Sequence, residues 1–200
     1  ITINGTGIGN RGVIRNFTGS SGVNALSNTI TLNSNARINV DAGTLSMTNG
    51  TAAIALGSYT LNTGVNSSTN FNISGLLTGS GALTKDSLGT ITLSGSNTGY
   101  AGGITIYKGV MNIQNSNALG TTDVATTVLN NAALQIQGGI TVAESNLNIT
   151  GTGVSNDGAL RNISGNNIFS GILNLTGNAR VYIDAGTLSM TSSGTSISMG

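Results

Sequence analysis

The chain has 200 residues, and Gly, Thr, Asn and Ser fill 109 of them (31, 28, 27 and 23), while His, Cys, Pro and Trp are absent. That removes zinc sites, thiol nucleophiles, Ser-His-Asp triads and haem ligation by the usual residues, so no cofactor is expected and an enzyme is disfavoured. Seven basic against six acidic side chains give a net charge of +1, too weak a field to gather nucleic acid or an anionic membrane, and no apolar run is long enough to insert in a bilayer.

Disorder is excluded by the placement of the apolar residues, which make up 38% of the chain. Taken in chain order, residues 29–32, Thr44–Met47, Thr90–Leu93, Ile104–Ile106, 134–136, 147–149 and 188–190 alternate a small polar residue with a large aliphatic one. Period two marks short, half-buried strands, and no stretch of ten residues shows helical periodicity. The inward positions are predicted to be Ile30, Leu32, Leu45, Met47, Ile91, Leu93, Ile104, Ile106, Leu134, Ile136, Leu147 and Ile149. Sandwiches and barrels use longer strands and more aromatics in the core. A parallel β-helix (β-solenoid) fits better, because each coil adds short strands to a continuous aliphatic column and turns on Gly and Asn. At about 20–24 residues per coil the chain makes roughly 8–10 coils.

The sequence repeats itself at long range. Residues 3–16, INGTGIGNRGVIRN, return at 149–162 as ITGTGVSNDGALRN. Residues 36–57, ARINVDAGTLSMTNGTAAIALG, return at 179–200 as ARVYIDAGTLSMTSSGTSISMG. The first pair is offset by 146 and the second by 143, so the first copy carries three extra residues between its two blocks. Residues 3–57 thus correspond to 149–200, in one continuous β-helix over 1–200. With no cap at either end, the chain is expected to be an excerpt of a longer tandem array. Its unpaired coil ends are expected to permit end-to-end stacking on itself into filaments.

Residues 79–120 read GSGALTKDSLGTITLSGSNTGYAGGITIYKGVMNIQNSNALG. Gly81, Leu83, Thr84, Lys85, Gly89, Thr90, Gly95, Asn97, Ala118, Leu119 and Gly120 carry a pattern that resembles the autotransporter-associated β-strand repeat, also called the passenger-associated transport repeat. Ser87 stands where that pattern usually has Gly, and Gly99 is inserted before Tyr100. The resemblance implies a right-handed parallel β-helix in the passenger of a large type V-secreted bacterial exoprotein. It further implies an extracellular or cell-surface location on a Gram-negative-type bacterium and an outer-membrane translocator barrel as partner during export.

Candidate chemistry is sparse. Gly7-Ile8-Gly9-Asn10-Arg11-Gly12 fits the dinucleotide fingerprint, but no helix pattern follows it and a corner turn is expected instead. The acids are Asp41, Asp86, Asp123, Glu144, Asp157 and Asp184. Asp41 and Asp184, with Arg37 and Arg180, recur at block spacing, as solvated faces or coil-to-coil ion pairs on an outward face shared with Asn39 and Tyr182; stacking leaves open whether the others meet. Calcium needs only oxygen ligands, yet no calcium-binding nonapeptide occurs. Lys85, Lys108 and Tyr107 are read as a solvated edge, with a spot for surface glycans or a partner as the alternative. The expected function is a structural stalk or fibre module; an adhesin comes second and a β-helical polysaccharide-degrading enzyme third.

Overall fold

The computed structural model describes residues 1–17, 22–121, 124–192 and 197–199. It is all β apart from two three-residue turns of 3₁₀ helix, Ile8–Asn10 and Val154–Asn156. Every strand pairing is parallel, and the strands stack as a β-solenoid of about 8 turns.

Each coil visits three faces. The first carries Thr2–Gly5, the start of Ile30–Val40, Ile54–Ala55, Leu77–Thr78, Thr141–Val142, Asn166–Phe169 and Thr187–Met190. The second carries Ile14–Asn16, the end of Ile30–Val40, Leu61–Val65, Leu83–Lys85, Ile104–Ile106, Thr126–Val128, Leu147–Gly151, Leu173–Ala179 and Ile197–Met199. The third runs from Val23–Leu26 through Thr44–Met47, Asn70–Ile73, Thr90–Leu93, Gly109–Ile113, Ala132–Gln137 and Leu160–Ser164 to Val181–Ile183. Ile30–Val40, 11 residues long, bends across two faces and joins them into one 12-stranded sheet.

Registered residues lie 20 to 31 positions apart: Asn70 pairs with Thr90, and Gly5 with Ala36. The variation is absorbed at corners, so the inward columns stay in line. All twelve aliphatics named above are at most 4% exposed. Leu45, Phe71, Ile91, Met111, Leu134 and Leu160 form one such column through successive registered pairs on the third face. Phe71, Tyr100 and Phe169 are also fully buried, aromatics that the alternation alone did not place.

The two copies of the long repeat have the same local structure. Asn10 and Asn156 have φ of 59° and 65°, and Thr6 and Thr152 each donate to that Asn at 2.6 Å. The fingerprint-like glycines therefore shape a corner, with no helix after them. Yet the copies lie on different faces. Ile3 pairs with Leu32 on the first face, whereas its equivalent Ile149 pairs with Leu175 on the second. Ile14–Asn16 lies on the second face, and its equivalent within Leu160–Ser164 on the third. The identical segments Thr44–Met47 and Thr187–Met190 occupy the third and first faces. From residue 3 the chain returns to the first face six times, with residue 141 on the last return, before reaching 149 on the next face. The block therefore spans six and one-third coils, and Asn39 and Tyr182 point from different faces rather than a shared one. The end of the second copy, 193–196 and 200, lies outside the described residues, as does Asp123.

A core truncation should be costly out of proportion to its size, since each column residue packs against coils on both sides. Ile91→Ala is expected to lower stability by about 2–5 kcal/mol in denaturant unfolding. The outward neighbour Thr92→Ala should change it by no more than about 0.5 kcal/mol.

Candidate functional site

The residues of the 79–120 segment hold coils together. At Gly81, Gly89, Gly95 and Gly120 an added Cβ would come within 1.8, 2.1, 2.4 and 2.4 Å of backbone oxygens of the preceding coil. Only glycine permits that approach. Leu83, Ala118 and Leu119 are buried, and Thr84, facing outward, donates to the Asn62 side chain at 2.7 Å. Thr90 is registered with Asn70 and Val110 on the outward side of the third face.

Lys85 is not on a solvated edge. It is fully buried in the column between Thr63 and Ile106, and its Nζ donates to the carbonyls of Ser87 and Lys108 at the next corner. Desolvation pulls its pKa down to about 8. The amphipathic stem fills the column while the ammonium ties two coils. The clue was present in sequence, because strict alternation puts residue 85 on the same side as Leu83.

Asn97 does comparable work where no strand forms. Fully buried, it accepts from the Leu77 N–H at 2.8 Å and donates to the Ala118 carbonyl at 2.7 Å, bonding to the coils on either side. Asn167 ties its coil to the preceding one only, accepting from the Ile140 N–H at 2.7 Å and donating within its own coil to Asn162 at 2.6 Å. Tyr100 packs beside Asn97, and its hydroxyl donates to the Gly103 carbonyl at 3.1 Å.

Among the described residues the surface acids each have a cationic partner. Arg15 pairs with Asp41, and their equivalents Arg161 and Asp184 pair at 2.8 Å; Arg161 also reaches Asp157 at 3.3 Å. Arg37 crosses the outside of an intervening coil to grip Asp86 through two nitrogens, one at 2.9 Å. It passes Gly64, where a Cβ would sit 2.4 Å from the guanidinium. Burial works against the Asp86 charge, but the hydrogen bonds and charge of Arg37 hold its carboxyl below the usual range. Arg180, the equivalent of Arg37, bonds the Asn156 carbonyl and lies over the Tyr182 ring instead. Such partly exposed pairs are worth under about 1 kcal/mol each. Their chief effect is to tie coils and leave no unpaired surface carboxylate among the described residues.

Glu144 stands apart. It is 3% exposed, and desolvation lifts its pKa to about 7 against hydrogen bonding from Thr126. No group of three or more acids converges among the described residues, so Asp86, Glu144 and Asp157 do not form a catalytic cluster. An open groove of about 380 Å³ is lined by Asn66, Ser67, Asp86, Ser87, Leu88 and Lys108. Tyr107, 47% exposed, lies next to it in sequence.

No family model, no curated protein and no solved structure matches the chain. What the coordinates define is the class: a parallel β-solenoid whose recurring polar residues bind coil to coil.

Two consequences are measurable. Asn97→Ala strands a buried N–H and a buried carbonyl, at about 1–3 kcal/mol apiece. It should therefore destabilise more than Asn112→Ala, whose amide partners are outward glutamines. Folding raises Glu144 from the ordinary 4.5 to about 7, so the folded chain keeps a proton that the unfolded chain has lost. That contribution to stability is full below about pH 4.5 and disappears as pH climbs through 7. It amounts to roughly 3 kcal/mol. In metal-poor buffer, Glu144→Gln should flatten this fall in pH-dependent unfolding.

Proposed function

We propose that the chain is a structural stalk or fibre module of a large secreted or cell-surface protein of a Gram-negative-type bacterium. The observation that carries the reading is the use made of its polar residues. Lys85, Asn97 and Asn167 join coils, and Arg15, Arg37 and Arg161 pair with acids one or two coils away. Side chains that an enzyme would aim at a substrate are spent on axial cohesion. The 79–120 segment, with its resemblance to autotransporter passengers, sits in the middle of the stack and contributes close coil contacts at Gly81, Gly89, Gly95 and Gly120.

Export through an outer-membrane barrel accords with this construction. A chain emerging unfolded adds one coil at a time, since every coil contacts only near neighbours. Axial contact between copies would extend the same stacking into a fibre. A second reading, an adhesin that binds surface glycans, draws support from the groove beside Asp86 and Lys108 with its exposed Leu88 and neighbouring Tyr107.

Fusing the chain between a secretion signal and an outer-membrane barrel tests the leading reading. It should be displayed on the cell as a protease-resistant rod, about 38 Å long for eight coil spacings of 4.8 Å. Retention and degradation in the periplasm would overturn it. Glycan-array binding abolished by Lys108→Ala would decide for the adhesin.

A further inference from the structure

We propose that the small cavity lined by Glu144 is a binding site for one hard metal cation held by oxygen ligands. The residue follows Thr141–Val142 at the corner between the first and second faces. Glu144 Oε1 is buried there without a hydrogen-bond partner, as is Thr121 Oγ1, which follows the cavity-lining Gly120 on the preceding coil. A cavity of about 30 Å³ lies at the same corner, lined by Ser116, Asn117, Gly120 and Glu144 among others. That is room for a single water or ion.

The charge balance favours an ion. Glu144 takes part in none of the four ion pairs among the described residues. Thr126 hydrogen-bonds its carboxyl, and among the described residues no cation offsets the buried anion. An ionised carboxylate taken out of water without a counter-charge is costly, and a bound cation removes the cost. The surroundings supply matching donors. Asn117, which lines the cavity, donates its Nδ2 to Ser96 at 3.0 Å, and the Ser116 hydroxyl, also lining it, accepts from the Thr141 N–H at 3.2 Å. The following coil closes tightly on this corner, since a Cβ on Gly171 would fall 1.5 Å from the Glu144 carbonyl oxygen.

All candidate donors are oxygens, which selects hard cations over zinc or copper. Mg²⁺ sheds water reluctantly and requires strict octahedral geometry, leaving Na⁺ and Ca²⁺, close in size and different in charge. One carboxylate balances Na⁺ alone, while Ca²⁺ adds affinity through its second charge.

Thermal unfolding of the chain at pH 8 in NaCl, CaCl₂ and choline chloride of equal ionic strength tests the site. Na⁺ or Ca²⁺ should raise the midpoint by about 2–4 °C over choline at saturation, and whichever does so identifies the charge. Glu144→Gln should abolish the rise, and Thr121→Val should move half-saturation to higher salt. Equal midpoints in all three salts, or a rise that survives Glu144→Gln, overturn the proposal. Equilibrium dialysis of the unaltered chain against radioactive sodium and calcium avoids reliance on the variants. One ion bound per chain supports the site, and none refutes it.

Discussion

Everything in this molecule follows from parallel pairing of each strand with its counterpart one coil away. That spacing, about 4.8 Å, is fixed by backbone hydrogen bonds and is the same on every face. Side chains of registered residues must therefore stack on one another, and any group too wide for the gap pushes coils apart. The columns of Ile, Leu, Val and Met satisfy the rule inside. At the corners the rule is harsher, because backbone meets backbone, and Gly81, Gly89, Gly95 and Gly120 answer it by having no side chain. The unusual abundance of small residues is a consequence of this one distance.

A stack held by main-chain bonds alone would still have loose corners, where the pattern of pairing is interrupted. Lys85, Asn97 and Asn167 close those interruptions from inside, each with polar atoms directed to backbone groups. On the outside Arg37 bridges over Gly64 to Asp86. Burying polar atoms is unfavourable unless they are bonded, and each of these residues is bonded to at least one neighbouring coil. Cohesion along the axis is thus made of many modest contacts and no dominant one. Glu144 is the exception, a buried acid with an unbonded oxygen.

The alternation of small polar and large aliphatic residues was enough to read the fold and the inward columns, because period two maps directly onto the two sides of a strand. It also contained the position of Lys85, whose charge argued for the surface while its spacing from Leu83 argued for the core; spacing won. Asn97 was marked by the repeat resemblance, but its burial and that of Tyr100 were not legible, since they lie in a stretch with no strand and hence no period. Glu144 was equally hidden, placed at a corner whose path depends on neighbouring coils. The displacement of the two repeat copies onto different faces was invisible for another reason. Spacing between registered residues varies from 20 to 31, so an offset of 146 does not reveal how many coils it contains.

That displacement says something about how such a chain is free to change. The segment Thr-Leu-Ser-Met closes the third side of the rod in one copy and the first side in the other, with the same kind of strand neighbour. The three sides are therefore interchangeable as packing environments. A gene encoding such a rod can be lengthened or shortened by thirds of a coil, and duplication need not respect whole turns. Its surface features are then spread like steps around a spiral stair: a motif repeated at this interval faces the same direction only at every third occurrence.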